Sequence, residues 1–193
     1  MYWLILCLFA LTIPLQSPAA VIDLTEQDFQ DARNFVALHK QNAGIVLNNT
    51  YLIGSNKLFT EHAIIRTKWH KLVLLYMAKY PDTKLTDIEK EVLTRDDNLQ
   101  IDIILFGHSL GFAQNYKAFI SQGDTHLAPQ KIHADHFQAA QHKKNIYSGF
   151  PAYTATLRTY FDLTGINTTQ SFTLTVTTGD HTKSFTIDLR NFK

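Results

Sequence analysis

The chain has 193 residues, which is enough for one ordinary domain and short for two. Hydrophobic residues make up 45% and charged residues 18%, a balance typical of a protein with a buried core. The 18 basic and 17 acidic residues give a formal net charge of +1 and form no long block of either sign. Composition therefore predicts no binding to nucleic acid or to an anionic membrane surface.

The N-terminal segment has the pattern of a signal peptide. Residues 2–14 are uncharged and mostly apolar, too short for the roughly 20 residues that span a bilayer but typical of a signal-peptide core. Small residues at Ser17 and Ala19 predict cleavage near 19/20, which would leave residues 20–193 as a single globular domain. The segment lacks the usual Lys or Arg, so either the true start lies upstream or the α-amino group supplies the positive charge. The alternative to a signal peptide is a buried N-terminal strand.

The single cysteine, Cys7, lies inside this segment. Its removal would leave a mature domain with no disulfide, thiolate metal site or cysteine nucleophile. An exported domain without cysteine is more typical of bacteria than of eukaryotes, so we expect a periplasmic or secreted bacterial protein. No later run of about 18 apolar residues occurs, which predicts no membrane span in the mature chain.

The first predicted element of the mature chain is a helix that begins after Thr25. Thr25 and Asp28 stand in capping-box register, and apolar residues recur at helical spacing from Phe29 onward. Gly44 is the expected end of this helix, because glycine accepts the left-handed conformation that closes one. Residues 45–60 alternate short apolar pairs with turn signals and predict one or two short strands.

Residues 63–78 form a long apolar run in which β-branched and aromatic residues are dense. Periodicity alone leaves helix and strand open, and the composition favours two strands with a break near residue 70. Strand alternation would then place Arg66 and Lys68 together on a solvated face.

A second helix is predicted to begin at Thr86, which stands in capping-box register with Glu89. Its predicted core face holds Ile88, Val92 and Leu93. Residues 99–106 then predict a strand.

The C-terminal residues give the clearest strand pattern of the chain. Apolar residues alternate with polar ones on both sides of a turn at Gly179-Asp180, namely Phe172, Leu174 and Val176, then Phe185, Ile187 and Leu189. This pattern predicts an antiparallel hairpin with one buried face. Together the elements predict a single α+β domain, an antiparallel β-sheet or sandwich with two or three flanking α-helices.

The segment Gly107–Gly111 (GHSLG) matches the G-x-S-x-G nucleophile elbow and, over these five residues, resembles the α/β-hydrolase family. The resemblance implies Ser109 as nucleophile, followed in chain order by an aspartate and a histidine. Asp162 or Asp135 with His181 satisfies that order.

The residues around this motif leave two interpretations open. A predicted strand precedes it, and Phe112, Tyr116, Phe119 and Ile120 lie at the spacing of a following helix, as an elbow requires. The alternative is an ordinary strand end at which the glycines serve a turn or bulge.

Four of the nine histidines fall in one short stretch, at His126, His133, His136 and His142. If residues 131–143 are helical, His133 and His136 share a face beside Asp135, and such ligands suit zinc, copper or nickel. The alternatives are an ordinary helix with solvated histidines and an exposed loop.

Three functional hypotheses follow. The first is a non-enzymatic exported domain that binds a partner or ligand in the cell envelope or outside the cell, with no cofactor. Its basis is that no complete catalytic or metal-binding set can be assembled from residues whose proximity the sequence supports. The alternative is a serine hydrolase with Ser109 as nucleophile, and the third is a metal-binding protein that uses the histidines between 126 and 142.

Overall fold

A computed structural model describes residues 23–55, 57–80, 84–109, 111–135, 151, 153–179 and 181–193. The predicted signal peptide with its cleavage site, and the histidines His136 and His142, lie outside these residues. Within the described ranges, no helix is both long enough and apolar enough to cross a membrane.

The described residues form helices and two antiparallel sheets, which confirms the predicted α+β class. The α-helices are α1 (Glu26–His39), α2 (Ala43–Thr50), α3 (Lys68–Lys79) and α4 (Asp87–Arg95). Short 3-10 segments lie at Lys40–Asn42, Leu163–Gly165 and Leu189–Asn191.

The larger sheet has five strands and the smaller has four. The strands in chain order are β1 (Leu52–Gly54), β2 (His62–Arg66), β3 (Asn98–Gly107), β4 (Lys117–Gln122), β5 (Thr125–Leu127), β6 (Lys131–Asp135), β7 (Tyr153–Asp162), β8 (Phe172–Thr178) and β9 (His181–Ile187). The five-stranded sheet has the order β1-β2-β3-β7-β6, and the four-stranded sheet has the order β5-β4-β8-β9.

Both predicted helix starts are confirmed with their capping boxes. The hydroxyl of Thr25 accepts from the backbone of Asp28, whose carboxylate accepts from the backbone of Thr25 in return. Thr86 and Glu89 make the same reciprocal pair at the start of α4. Each box satisfies N–H groups that a helix start otherwise leaves without partners.

Gly44 does not end the first helix, so that prediction is wrong. Helix α1 ends at His39, Lys40 takes a positive φ of 47°, and the chain continues through one 3-10 turn into α2. Ala43 and Leu47 bury one side of α2, and this packing favours helix where the turn residues of the sequence predicted strand. Of the strands predicted over residues 45–60, the structure contains β1.

The run 63–78 holds one strand and one helix, not two strands. The hydroxyl of Thr67 accepts from the backbone of His70 at 3.1 Å and caps α3, which buries Trp69, Leu72, Val73 and Tyr76 at helical spacing. Arg66 and Lys68 therefore do not share a solvated strand face. Lys68 is buried, and its Nζ donates to the carbonyl of Thr94 at 2.7 Å.

Helix α4 is rotated relative to the prediction. Leu93 is buried as expected, but Ile88 and Val92 are 72% and 64% exposed. Two lysines of α3 fix this rotation, because Lys79 pairs with Glu89 and Lys68 holds the C-terminal end of α4.

The C-terminal hairpin is confirmed, with β8 and β9 paired around the turn. Its inner face supplies Phe172, Leu174, Val176, Phe185 and Ile187, and all are buried. These side chains belong to one continuous cluster with the buried residues of the helices and with Ile101, Ile103, Leu105 and Leu157 of the larger sheet. The opposite face of the larger sheet carries a group of polar and charged side chains beside apolar ones such as Ile64 and Ile104.

Candidate functional site

The polar face of the larger sheet consists of two adjacent rows of side chains. Residues paired across antiparallel strands point to the same face, so the register defines each row. The first row is Arg66, Gln100, Tyr160 and Lys131, and the second is Ile64, Asp102, Arg158 and His133. Below, "polar face" means these eight residues.

Asp102 is the centre of this face and is buried, with a side chain only 7% exposed. Its Oδ2 accepts from Nε of Arg66 at 2.8 Å, and its Oδ1 accepts from the side-chain amide of Gln100 at 2.8 Å. Nε of Arg158 lies 3.6 Å from Oδ1 on the other side. A buried carboxylate is costly unless it is paired and hydrogen-bonded, and Asp102 has both kinds of compensation.

Arg66 also connects the sheet to two helices. Its Nη1 donates to Oδ1 of Asn48 in α2 at 2.9 Å, and it contacts Nε2 of His70 in α3. Burial, and next the charge of Arg66, lower the pKa of His70 to about 3. The imidazole is therefore neutral at ordinary pH, as an acceptor for a guanidinium must be. The inner half of the polar face, formed by the residues on β2 and β3, therefore anchors α2 and α3 to the sheet through Arg66.

The other half of the polar face is open to solvent. The Arg158 side chain is 36% exposed, Tyr160 is half-buried, and His133 and Lys131 are exposed. The rings of His133 and Tyr160 meet edge to face, with centroids 6.0 Å apart. A guanidinium and an ammonium beside an aromatic ring can bind carboxylate or phosphate groups and apolar ring surfaces.

An acidic residue lies beside the first row. Asp162, paired with Asn98, is the next residue but one after Tyr160 on the same face of β7. Hydrogen bonds from the backbone and side chain of Thr164 lower the pKa of Asp162, and its Oδ2 accepts from Gln130 at 3.1 Å. The two rows carry three cations, Arg66, Arg158 and Lys131, against the carboxylate of Asp102.

The GHSLG segment forms a strand end followed by turns. Ser109 is exposed in a bend directly after β3, and its carbonyl accepts from the backbone of Phe112 at 3.2 Å. The predicted helix after it is wrong, because residues 111–115 form turns and Phe119 and Ile120 belong to β4. An elbow turns from strand to helix, and this segment turns from strand to strand.

Packing explains the first glycine of the motif. A Cβ at Gly107 would overlap the Phe112 ring, which folds back over the end of β3. Gly107→Ala is therefore expected to lower the free energy of unfolding by about 1–3 kcal/mol through overpacking. Gly165→Ala is the matched control, because a Cβ there meets nothing within 4 Å. Thermal unfolding of the two variants measures the difference. Equal melting temperatures for Gly107→Ala and Gly165→Ala would contradict the close packing of Phe112 against Gly107.

The structure does not bring Ser109 together with Asp162. Register pairs Asn98 with Asp162 and Gly107 with Tyr153, so the aspartate lies at the far end of β3, about 30 Å along a strand that rises roughly 3.3 Å per residue. His181 lies at the start of β9 in the other sheet, beside Glu61 and Lys183 at a cleft of about 70 Å³. Asp135 lies on β6, two strands away from β3.

The helical arrangement of the histidines is wrong where the structure describes it. Residues 131–135, which include His133, are strand β6 and not part of a helix. His126 lies on β5 in the other sheet, next to the Phe119 ring. Among the described residues, no three His, Cys, Asp or Glu side chains lie close enough together to hold a metal ion.

Models of known protein families, characterised proteins and solved structures were compared with the chain, and none gives a significant match. We therefore infer function from the geometry of the chain itself. Sequence reasoning did not single out Asp102 or Arg158. The available signal was one aspartate in the middle of the apolar strand LQIDIILF, where a charge requires a partner.

Proposed function

We propose that the chain is an exported domain that acts by binding and not by catalysis, and that the polar face of the larger sheet is its binding surface. The observation that carries this proposal is the position of Arg158. It lies between the buried carboxylate of Asp102 and a group made of the half-buried Tyr160 and the exposed His133 and Lys131. Export is inferred from the apolar segment and the small residues before position 20.

Rigidity supports this assignment. Arg158 and Tyr160 lie on β7, which is paired on one side with β3 over ten residues and on the other with β6. Binding groups on strands held from both sides are preorganised, so less conformational entropy is lost when a ligand binds.

The energetics of Asp102 also support a role beyond stability. Buried ion pairs are often replaceable by apolar residues without loss of stability, because desolvation offsets the attraction of the charges. The inner half of the polar face needs one guanidinium to anchor α2 and α3, and Arg66 supplies it. The guanidinium of Arg158 lies against the other oxygen of the same carboxylate and is 36% exposed, so it presents positive charge at the open half of the polar face.

A site-specific photocrosslinker tests the proposal in the cells that make the protein. p-Benzoylphenylalanine at Tyr160 is expected to form a discrete adduct. The same group at Tyr80, which is 45% exposed at the end of α3, is the control and is expected to form none. Adducts of equal yield at both positions, or at Tyr80 alone, would contradict the polar face as the binding surface. Fluorophosphonate labelling that disappears in Ser109→Ala would instead establish a hydrolase.

A further inference from the structure

We infer that the cleft at the start of β9 binds a small zwitterion of the α-amino acid class, with the ligand ammonium on Glu61 and the ligand carboxylate on Lys183. The cleft is separate from the polar face. Leu105 lines it from the inner side of the larger sheet, whereas the polar face is on the outer side of that sheet. The cleft is therefore a second site, which adds to the proposed function and does not rest on it.

The cleft has an apolar base and a polar rim. The base is formed by Leu105 of β3 and Val176 of β8, which are 2% and 1% exposed. These two strands belong to different sheets, so the cleft lies where the sheets meet. The residues of the rim are Glu61, His181, Thr182 and Lys183. An apolar base with a few convergent polar groups is typical of sites for small molecules.

The volume of the cleft limits its ligand to a few atoms. The cleft holds about 70 Å³. One water-sized group occupies about 10–15 Å³ of such space, so about five to seven non-hydrogen atoms fit. Glycine and alanine are molecules of this size.

Glu61 and Lys183 place opposite charges at the rim. Nζ of Lys183 lies 4.0 Å from Oε2 of Glu61, beyond the roughly 2.7–2.9 Å of a charge-assisted hydrogen bond. The two side chains are 42% and 33% exposed. Within the part of the chain that the structure describes, neither charged group makes a hydrogen bond to another residue. The ammonium therefore keeps donors, and the carboxylate keeps acceptors, for a ligand.

An α-amino acid matches this pair of charges. Its ammonium and its carboxylate are attached to one carbon atom, so the ligand can donate to Glu61 and accept from Lys183 at the same time. His181 and Lys183 are two residues apart on β9, and Val176 is paired with Lys183, so all three share one face. A ligand held by both charges thus has its carbon atoms above the apolar base. The imidazole of His181 lies at the same rim for a further hydrogen bond.

The two charges also select against simpler ions. A carboxylate without an ammonium group would be attracted by Lys183 and repelled by Glu61 at nearly the same distance. A simple amine would meet the reverse combination. Only a ligand that carries both charges gains from both residues, which gives the cleft its specificity.

Nuclear magnetic resonance of the ¹⁵N-labelled protein tests this inference, with glycine as the probe at constant pH and ionic strength. Glycine is expected to shift the backbone amides of residues 61, 105, 176 and 181–183, with a dissociation constant on the order of 1–10 mM for so small a ligand. N-acetylglycine lacks the ammonium group and glycinamide lacks the carboxylate. Each is expected to bind at least about tenfold more weakly than glycine.

Variants decide whether the two charged residues do the binding. Glu61→Gln and Lys183→Gln are each expected to weaken glycine binding by about tenfold, because one charge of the ligand then has no partner. The matched controls are Glu91→Gln, on the exposed side of α4, and Lys117→Gln, exposed on β4 and on the opposite face of its sheet from the cleft. Both controls are expected to bind glycine as the wild type does.

Three outcomes would overturn the inference. They are the absence of glycine-dependent shifts at the cleft, binding of N-acetylglycine or glycinamide as tight as that of glycine, and unchanged glycine binding in both Glu61→Gln and Lys183→Gln. The first two outcomes are measured on the wild-type protein and do not depend on the folding of any variant. Glycine reports on the cleft and the crosslinker at Tyr160 reports on the polar face, so the two proposals succeed or fail separately.

Discussion

Asp102→Asn is expected to lower the free energy of unfolding by about 3 kcal/mol, because it leaves the guanidinium of Arg66 buried beside a neutral amide. The side chains of this pair are 14% and 7% exposed, so water compensates little of the loss. Arg66 also holds Asn48 and His70, and the substitution weakens the attachment of α2 and α3 to the sheet. Urea unfolding followed by circular dichroism measures the change.

Two further variants show whether the loss of stability in Asp102→Asn comes from the buried ion pair or from the removal of one negative charge. Glu91→Gln removes one carboxylate from the exposed Glu91–Arg95 pair, and we expect its urea midpoint to stay at the wild-type value. The double variant Arg66→Met with Asp102→Leu removes both buried charges together and is expected to recover much of the stability lost in Asp102→Asn. If Asp102→Asn unfolds at the wild-type midpoint, the carboxylate is not the partner that keeps Arg66 buried.

The elements that the sequence predicted correctly are those whose signals are local. Thr25 with Asp28 and Thr86 with Glu89 are three residues apart, so each helix start is encoded within one turn. The C-terminal hairpin has the same property, because its apolar alternation and its glycine turn lie within about sixteen residues. These signals depend on no distant partner.

The errors occur where tertiary packing decides between local alternatives. Helix α3 is buried on much of its surface, so its apolar run lacks the clear period that distinguishes a helix from a strand. A local signal was present in Thr67, whose hydroxyl caps the helix, but the residue three positions later is His70 and not the Glu or Gln of a capping box. Ile88 and Val92 were misplaced because Lys68 and Lys79, from another helix, set the rotation of α4.

The polar face was not predictable in the same way. Asp102 is 36 residues from Arg66 along the chain and 56 residues from Arg158, and the three meet because β2, β3 and β7 pair in one register. A shift of that register by one residue would turn Arg158 to the other face. One sequence shows that Asp102 needs a partner, but it does not give the register that supplies one. The G-x-S-x-G match shows the opposite problem. The residues of the motif are present in the sequence, but the strand-to-helix turn that makes the serine reactive is not formed around them.

Acidification is expected to destabilise the wild-type protein through His70, by about 3 kcal/mol between pH 7 and pH 4. In the folded protein, burial and the neighbouring Arg66 lower the pKa of this imidazole to about 3, whereas an unfolded histidine has its ordinary value of 6.5. Between these two values the unfolded chain binds a proton that the folded chain does not. Unfolding therefore takes up a proton in this window, and stability falls as the pH falls from 6.5 toward 3.

The comparison with His70→Gln isolates this effect. Gln retains an oxygen that accepts from Arg66 and has no proton to gain, so the variant should lose stability with pH only through groups that both proteins share. Those groups include Asp28, whose lowered pKa also contributes to acid sensitivity.

His108→Gln is the control, because His108 is exposed after β3 and the variant should follow the wild-type curve. Unfolding free energies measured at pH 7, 6, 5 and 4 give the three curves. Parallel curves for wild type and His70→Gln would mean that the pKa of His70 in the folded protein is close to its ordinary value. The neutral acceptor for Arg66 would then have to be a different group.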